Sequence, residues 1–415
     1  MKLVDNLPKA NIRILIKKRT DMSIKKIAVI GAGVLGLSVA RSLAQQGAKV
    51  TVFERNHVGA GTSSTTFAWI NSNGKSPESY HHLNAQAIAE HLRLQQERTT
   101  EGQWLRQTGT YEWATSVSEQ KRLQDRVSRL MKLHYPVKNL APDELQRKIP
   151  EIRLDPHAGE IWQFPGECLL IPSAFMAWLV SELHVYKAEL RTQSEVTDLI
   201  ETNDSAEIRL ANGEHWQGDS IVIAAGRWSA ELTALVGQQL AMIDPNQPDK
   251  IACGFLGYTR PVLTQLQANL ITPGLNVRPE GGGRLLLQCP DLDSFANPAN
   301  PATIDSYIGE EMLRRLRRVL SNMEAAQLER IAVGQRSRPA DGLPGVGYLS
   351  DSRRIYLMVT HSGMTLAPLL GRLCAEEIIS GQRSPLLSDF SPLRLLGKTA
   401  KDFAAFATLH FPAAQ

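Results

Sequence analysis

The chain is poor in cysteine, in long apolar runs and, over most of its length, in net charge, and each shortage excludes something. Only four cysteines occur in 415 residues, Cys168, Cys253, Cys289 and Cys374, with no C-x-x-C and no short spacing between them. That argues against a disulfide framework or a zinc site, so no metal is expected and a reducing, cytosolic setting is. No apolar run approaches the roughly 18 residues needed to cross a bilayer, so no transmembrane segment is expected. The net charge of +4 vanishes when it is localised: residues 1–22 hold six Lys/Arg against two Asp, which accounts for all of it. A neutral body removes the compositional argument for a nucleic-acid surface. Within residues 1–22 the apolar core is only Ile14-Leu15-Ile16, too short for a secretory signal. The segment reads as a disordered basic extension or an upstream start, with an organelle-targeting peptide as the weaker alternative.

What is present is more specific. A short apolar strand, Ile27 to Ile30, runs into Gly31-Ala32-Gly33-Val34-Leu35-Gly36, then a helix, then a second strand ending in Glu54. Gly31 permits a tight turn, Gly33 removes a side chain that would block a pyrophosphate, and Gly36 lets the helix pack closely on the strands. The helix N-terminus offers amide donors and a positive dipole end to phosphates. Glu54, 23 positions after Gly31, stands where an acid accepts hydrogen bonds from ribose hydroxyls. A 2′-phosphate would be repelled there. The motif predicts a bound dinucleotide but does not separate FAD from NAD.

The length predicts about two domains. Residues 76–145 have amphipathic helical spacing, interrupted by Gly109 and a short strand. Strand patterns follow from Glu195, with a hairpin turn at Asn212-Gly213. The buried-strand pattern Asp219–Gly226 then leads to a helix near Trp228. Further strands fill 250–290, with a turn at Glu280–Gly283, and a charged helix is expected around Ile308–Leu328. A last strand, Ile355–Thr360, precedes Gly363 and an apolar helix closed by Gly381. Three strand-to-glycine junctions, at Gly31–Gly36, Gly226 and Gly363, therefore lie far apart. If they share one parallel sheet, the nucleotide domain is discontinuous and a second domain is inserted in it.

These residues resemble the FAD-dependent D-amino-acid oxidase superfamily, which includes glycine oxidase, sarcosine oxidase and D-amino-acid dehydrogenase. The carriers are the Gly31–Gly36 motif with Glu54-Arg55, Gly59-Ala60-Gly61-Thr62-Ser63-Ser64, and Ala225-Gly226-Arg227-Trp228. Further on they are Arg336 through Asp341-Gly342-Leu343-Pro344, and Thr360-His361-Ser362-Gly363-Met364-Thr365. The resemblance implies an α/β fold: a discontinuous Rossmann-type FAD-binding domain over 23–75, 146–235 and 331–390, and an inserted α+β substrate domain over 76–145 and 236–330. Residues 391–415 form a C-terminal tail, in which Phe403, Phe406, Leu409 and His410 read as a docked apolar face.

The resemblance also implies site residues. Gly31, Gly33, Val34, Leu35, Gly36, Glu54 and Arg55 would hold the nucleotide. Gly61, Thr62, Ser63 and Ser64 supply backbone and hydroxyl donors suited to a second phosphate and ribityl cradle. Val196 would meet the adenine through its backbone, and Ala225, Gly226 and Trp228 would pass close to the nucleotide. Gly363, Met364, Thr365 and Leu366 would open a helix aimed at the flavin ring. Gly334 stands where sarcosine-oxidase types carry a flavin-linking cysteine, and the Gly61 loop has no histidine, so FAD is expected to be non-covalent. The family's lysine over the flavin has no identifiable counterpart.

The resemblance further implies that Arg336, five residues before the Asp341-Gly342 turn, grips the substrate carboxylate, a contact that a guanidinium fork suits. Arg336 and Arg338 share a strand face, and pairing with Asp341 or another acid is the competing role. His361 is a second catalytic candidate, His81-His82 reads as a helix-surface pair, and Tyr80, Tyr111 and Tyr258 are pocket candidates. The implied activity is oxidation of the C–N bond of an amino acid or N-substituted glycine, by hydride transfer to flavin N5, giving an imine that hydrolyses. The partners would be the small amine and O2 or a quinone or other electron-transfer acceptor, without nucleic acid. The expected setting is the cytoplasm, free or peripheral to the inner membrane. Flavin-dependent amine oxidation on a macromolecule such as a modified tRNA base, or a non-catalytic dinucleotide-binding subunit, are the alternatives.

Overall fold

The fold is known from a computed structural model, which describes residues 24–97, 103–244 and 252–404. The basic extension and Phe406, Leu409 and His410 lie outside the described residues. A six-stranded sheet carries the strands Gly345–Tyr348, Ile355–Val359, Ser220–Ile223, Lys26–Ile30, Lys49–Phe53 and Glu189–Arg191 in that spatial order. All pairs are parallel except the first, which is antiparallel. The strands leading to Gly31, Gly226 and Gly363 are therefore neighbours, and one sheet edge collects all three junctions. This is a discontinuous Rossmann-type domain assembled from distant parts of the chain.

Its layering follows from strand periodicity. Ile27, Val29, Val50 and Val52 face the helices Val34–Gln45, Pro172–Val185 and Gly363–Ser380. Ala28, Ile30, Ile221 and Ile223 face the other way, onto an antiparallel three-stranded unit that brings Ile208 and Trp216. That unit is Val196–Glu201, Ala206–Leu210 and His215–Gly218, with Gly213 at φ +85° making the expected turn. The Val34–Gln45 and Gly363–Ser380 helices touch where a Cβ on Gly371 would lie 2.7 Å from the Ser38 backbone.

An eight-stranded, largely antiparallel sheet forms the second body, with the Tyr307–Val319 helix packed on one face through Met312 and Leu316. It combines Thr110–Glu112, Lys138–Leu140 and Ile161–Phe164 with strands between Cys253 and Gln335. The expected boundaries at 146 and 331 do not coincide with this sheet. Ile161–Phe164 pairs with Thr110–Glu112 and Lys138–Leu140, and position 331 falls inside Leu328–Gln335. The charged helix expected to reach Leu328 stops at Val319, after which Leu328 begins that strand. Part of the tail is docked: Leu395 is buried and Phe403 packs against the face of the six-stranded sheet that carries Ile30 and Ile223.

Candidate active site

Two adjoining cavities lie beside the parallel sheet, and the smaller one is also walled by the eight-stranded sheet. The larger, about 360 Å³, runs along the carboxyl ends of the parallel strands. Gly31 turns there at φ +105°, and its amide donates to the Phe53 carbonyl at 2.8 Å. A Cβ on Gly36 would overlap the Gly31 carbonyl oxygen, so this glycine fixes how closely turn and helix approach. Gly36 itself does not line the cavity; its role is the packing one. Gly33, Val34 and Leu35 do line it, at the N-terminal end of the Val34–Gln45 helix.

Around this turn the donors and acceptors are those a dinucleotide needs. The Glu54 carboxylate accepts from the Ala32 amide at 2.9 Å and from the Asn56 amide at 2.9 Å. Ser63 Oγ accepts from the Val34 amide at 3.0 Å, so the second hydroxyl loop closes over the first glycine motif. Thr62 donates to the Gln335 carbonyl at 2.5 Å and borders both cavities. Gly61 lies under the Trp228 ring, where a Cβ would come within 2.9 Å of a ring carbon. Arg55 and Arg227 stack on that ring at 4.3 and 3.7 Å from its centroid. Val196, Ala225, Gly226, Gly363 and Met364 complete the lining. Two expected contacts fall elsewhere: Ser64 is exposed and its hydroxyl turns back onto the Gly61 carbonyl at 3.2 Å, and Leu366 is fully buried in the helix core. A cradle of glycines whose side chains would fill it, with amide donors and a ribose-type acid, fits FAD.

The smaller cavity, about 150 Å³, adjoins the first and shares Thr62, Thr66, His361 and Met364 with it. Arg336 lies on its wall, reached from the end of the Leu328–Gln335 strand. Its Nη1 donates to the Cys253 carbonyl at 2.7 Å, and its Nη2 pairs with Asp293 Oδ2 at 2.5 Å. Asp293, from the turn Pro290–Phe295, also accepts from the Phe255 amide at 3.0 Å. Burial raises its pKa, while Arg336 pulls it back down. The partner of Asp341 is Arg394, not Arg336. Arg338 is buried beside the site, held down at about 10 by burial and by its neighbour Arg336.

Thr365 also lines the smaller cavity. The structure adds Lys75, Asn71, Gln288 and Asp293, none of which spacing singled out. Lys75 matters most, because the sequence offered no lysine for this site. Of the three tyrosines, none lines either cavity, though the Tyr80 hydroxyl bonds Ser362 Oγ at 2.7 Å behind the smaller one. His81 is not on the surface: it is buried, with Nδ1 2.9 Å from Ser72 Oγ, and only His82 is exposed.

Fold and site together define a flavin-dependent oxidoreductase. A profile described as FAD dependent oxidoreductase (DAO) matches residues 26–377, and the chain belongs to that family. It is 26% identical over 388 residues to a glycine oxidase of Geobacillus kaustophilus, covering 90% of this chain and 97% of the relative. It is 24% identical over 389 residues to a D-proline dehydrogenase of Pyrobaculum islandicum, covering 85% and 95%. Among solved structures, glycine oxidase from Geobacillus kaustophilus superposes with a TM-score of 0.76 at 24% identity, covering 89% of this chain and 99% of that one. L-amino acid deaminase from Proteus vulgaris gives 0.77 at 14% identity, covering 90% and 97%. FAD is the cofactor of the family. Gly334 leaves no room for a linking side chain, since a Cβ there would lie 2.8 Å from the Thr65 carbonyl oxygen. Among the described residues no helix is long and apolar enough to cross a membrane.

Proposed function

We propose that this enzyme oxidises the C–N bond of a small amino acid or N-substituted glycine, giving an imine that water hydrolyses to an oxo acid or aldehyde plus amine. The observation that carries the reading is Arg336 on the wall of a 150 Å³ cavity contiguous with the nucleotide cavity. When bound, FAD supplies the two-electron acceptor for that bond. Arg336 would bind the carboxylate: its bonds to Cys253 and Asp293 use two of the five guanidinium donors, and they fix the plane in which the others point. Fixing the carboxylate orients the carbon that bears nitrogen toward the shared wall of His361 and Met364, a contribution of position rather than of acid or base strength. Phe67, Trp69 and Leu256 line the same cavity and limit water around the reacting carbon.

The cavity's size favours substrates near glycine, sarcosine or a short-chain amino acid. Four buried cysteines, none of them in a disulfide, support the cytoplasmic setting that goes with this reading. The test is an anaerobic panel of D-amino acids, L-amino acids, glycine and sarcosine, scored by bleaching of the flavin band at about 450 nm. Reduction by at least one carboxylate-bearing amine supports the reading, and reduction only by amines without a carboxylate defeats it. Reoxidation with O2 or with a quinone analogue then identifies the acceptor.

A further inference from the structure

We propose that Lys75 is the general base that takes a proton from the substrate ammonium before the C–H bond breaks. The inference rests on the C–N oxidation reading above and deepens it. An ammonium nitrogen has no lone pair with which to assist loss of hydride from the adjacent carbon, so an amino acid that arrives as its ordinary zwitterion must lose one proton inside the cavity. Lys75 is buried, lines the 150 Å³ cavity with Arg336, and enters from the wall formed by the loop ahead of the Glu78–Gln96 helix. Its Nζ lies 5.7 Å from the Tyr80 ring centroid, and the Tyr80 hydroxyl bonds Ser362, the residue that opens the helix at Gly363. Ser362 and Lys75 line the same cavity.

Every group around Lys75 bears on whether it acts as an anion anchor or as a base. Burial first, and the Arg338 guanidinium second, hold its pKa down at about 7, while Glu167 pulls upward. Glu167 is itself pushed up to about 8 by burial, although Trp69 Nε1 and the Tyr135 hydroxyl donate to it at 2.7 and 3.0 Å. It is therefore largely neutral at pH 7 and does little to keep Lys75 charged. Arg336 and His361 also face the cavity, and Asp293, the acid there, is bonded to Arg336. A lysine whose surroundings disfavour the ammonium form is suited to receive a proton. An arriving substrate carboxylate adds negative charge nearby and strengthens it as a base. In the step, one N–H bond of the substrate ammonium breaks and one forms on Lys75 Nζ. No electrons change hands, and Lys75 returns the proton to solvent after product leaves.

The test compares anaerobic flavin reduction by the wild-type enzyme and by Lys75→Met and Lys75→Arg across pH, with flavin content checked first. At pH 7 both variants should reduce about 100-fold more slowly. The gap should close to about 3-fold or less once pH exceeds the substrate ammonium's own pKa, where no base is required. A parallel loss at every pH, or no loss at pH 7, overturns the proposal. Independently of turnover, lysine labelled with ¹³C at Cε should show in wild type one resonance titrating near 7, absent from Lys75→Met. Titration of that resonance above about 9, near the ordinary lysine range, overturns it as well. If no amine reduces wild type at any pH, the C–N oxidation reading fails and takes this proposal with it. If wild type is reduced and the variants track its pH profile, Lys75 alone is wrong.

Discussion

Arg336 and Asp293 form an ion pair at 2.5 Å, and Gly254 lies so close that a Cβ on it would come within 2.6 Å of both the Arg336 Nη2 and the Asp293 Oδ2 atoms. This ion pair, the proposed carboxylate anchor, is therefore built from three segments, and one of the three contributes by having no side chain. Asp293 is nearly inaccessible, so its charge depends on Arg336 for compensation.

Arg336→Ala should raise KM for amino acids by about 30-fold or more with flavin still bound, because a charge-paired carboxylate contact is lost. The same change strands the Asp293 carboxylate and should cost about 3 kcal/mol in urea unfolding. Adding Asp293→Ala should restore part of that stability and none of the KM. Steady-state kinetics and denaturation on both proteins check the two halves separately.

Gly254→Ala tests the built anchor without touching either charge. The new methyl group must push Arg336 and Asp293 apart, so KM should rise by about 10-fold while FAD affinity stays within about 2-fold, a cost of order 1 kcal/mol confined to the smaller cavity. An equal loss of FAD would show that the two cavities are not separable in this way.

Gly36→Ala and Gly47→Ala should behave oppositely toward the cofactor. At Gly36 the methyl group meets the Gly31 carbonyl, so the protein should lose FAD or fail to fold. At Gly47, with φ +93° and nothing within 4 Å, only backbone strain of about 1 kcal/mol is expected, with FAD affinity unchanged. Flavin content after gel filtration and FAD titration of the apoprotein distinguish them.

Glu167 gives the protein a stability penalty that grows with pH. Its carboxyl is held up at about 8 against an ordinary 4.5, so between those values the folded state binds more protons than the unfolded state. Stability must then fall as pH rises through that window. Glu167→Gln should melt at least about 2 °C above wild type at pH 8.5, and the difference should shrink toward pH 5. A constant difference across pH would contradict the assigned cause.

What was legible in the sequence follows from which interactions are local. The turn that borders the larger cavity is made of backbone, and backbone turns leave glycines at fixed spacings, so the Gly31–Gly36 turn was legible in the sequence. Arg336 was visible through its interval to Asp341, although the acid it pairs with is Asp293, 43 residues away in sequence. Lys75 and Asp293 were not visible, because each is a charged residue outside the regular strands and helices that bear the patterns, and segments distant in sequence surround Asp293. His81 was misjudged for the same reason: its neighbour His82 is exposed, and burial comes from Ser72 and Tyr135, which lie on other segments. The helix ending at Val319 rather than Leu328 shows the converse, charged helical periodicity giving way to strand pairing with Cys253–Thr259.

The account's central claim is that a carboxylate held by Arg336 lies against the bound FAD. Titrating the oxidised holoenzyme with acetate, which has no oxidisable amine, measures this without turnover. The account predicts a saturable perturbation of the flavin absorption band in wild type and at least about a 10-fold weaker response in Arg336→Ala. A flat spectrum in wild type, or equal responses in both proteins, would contradict it.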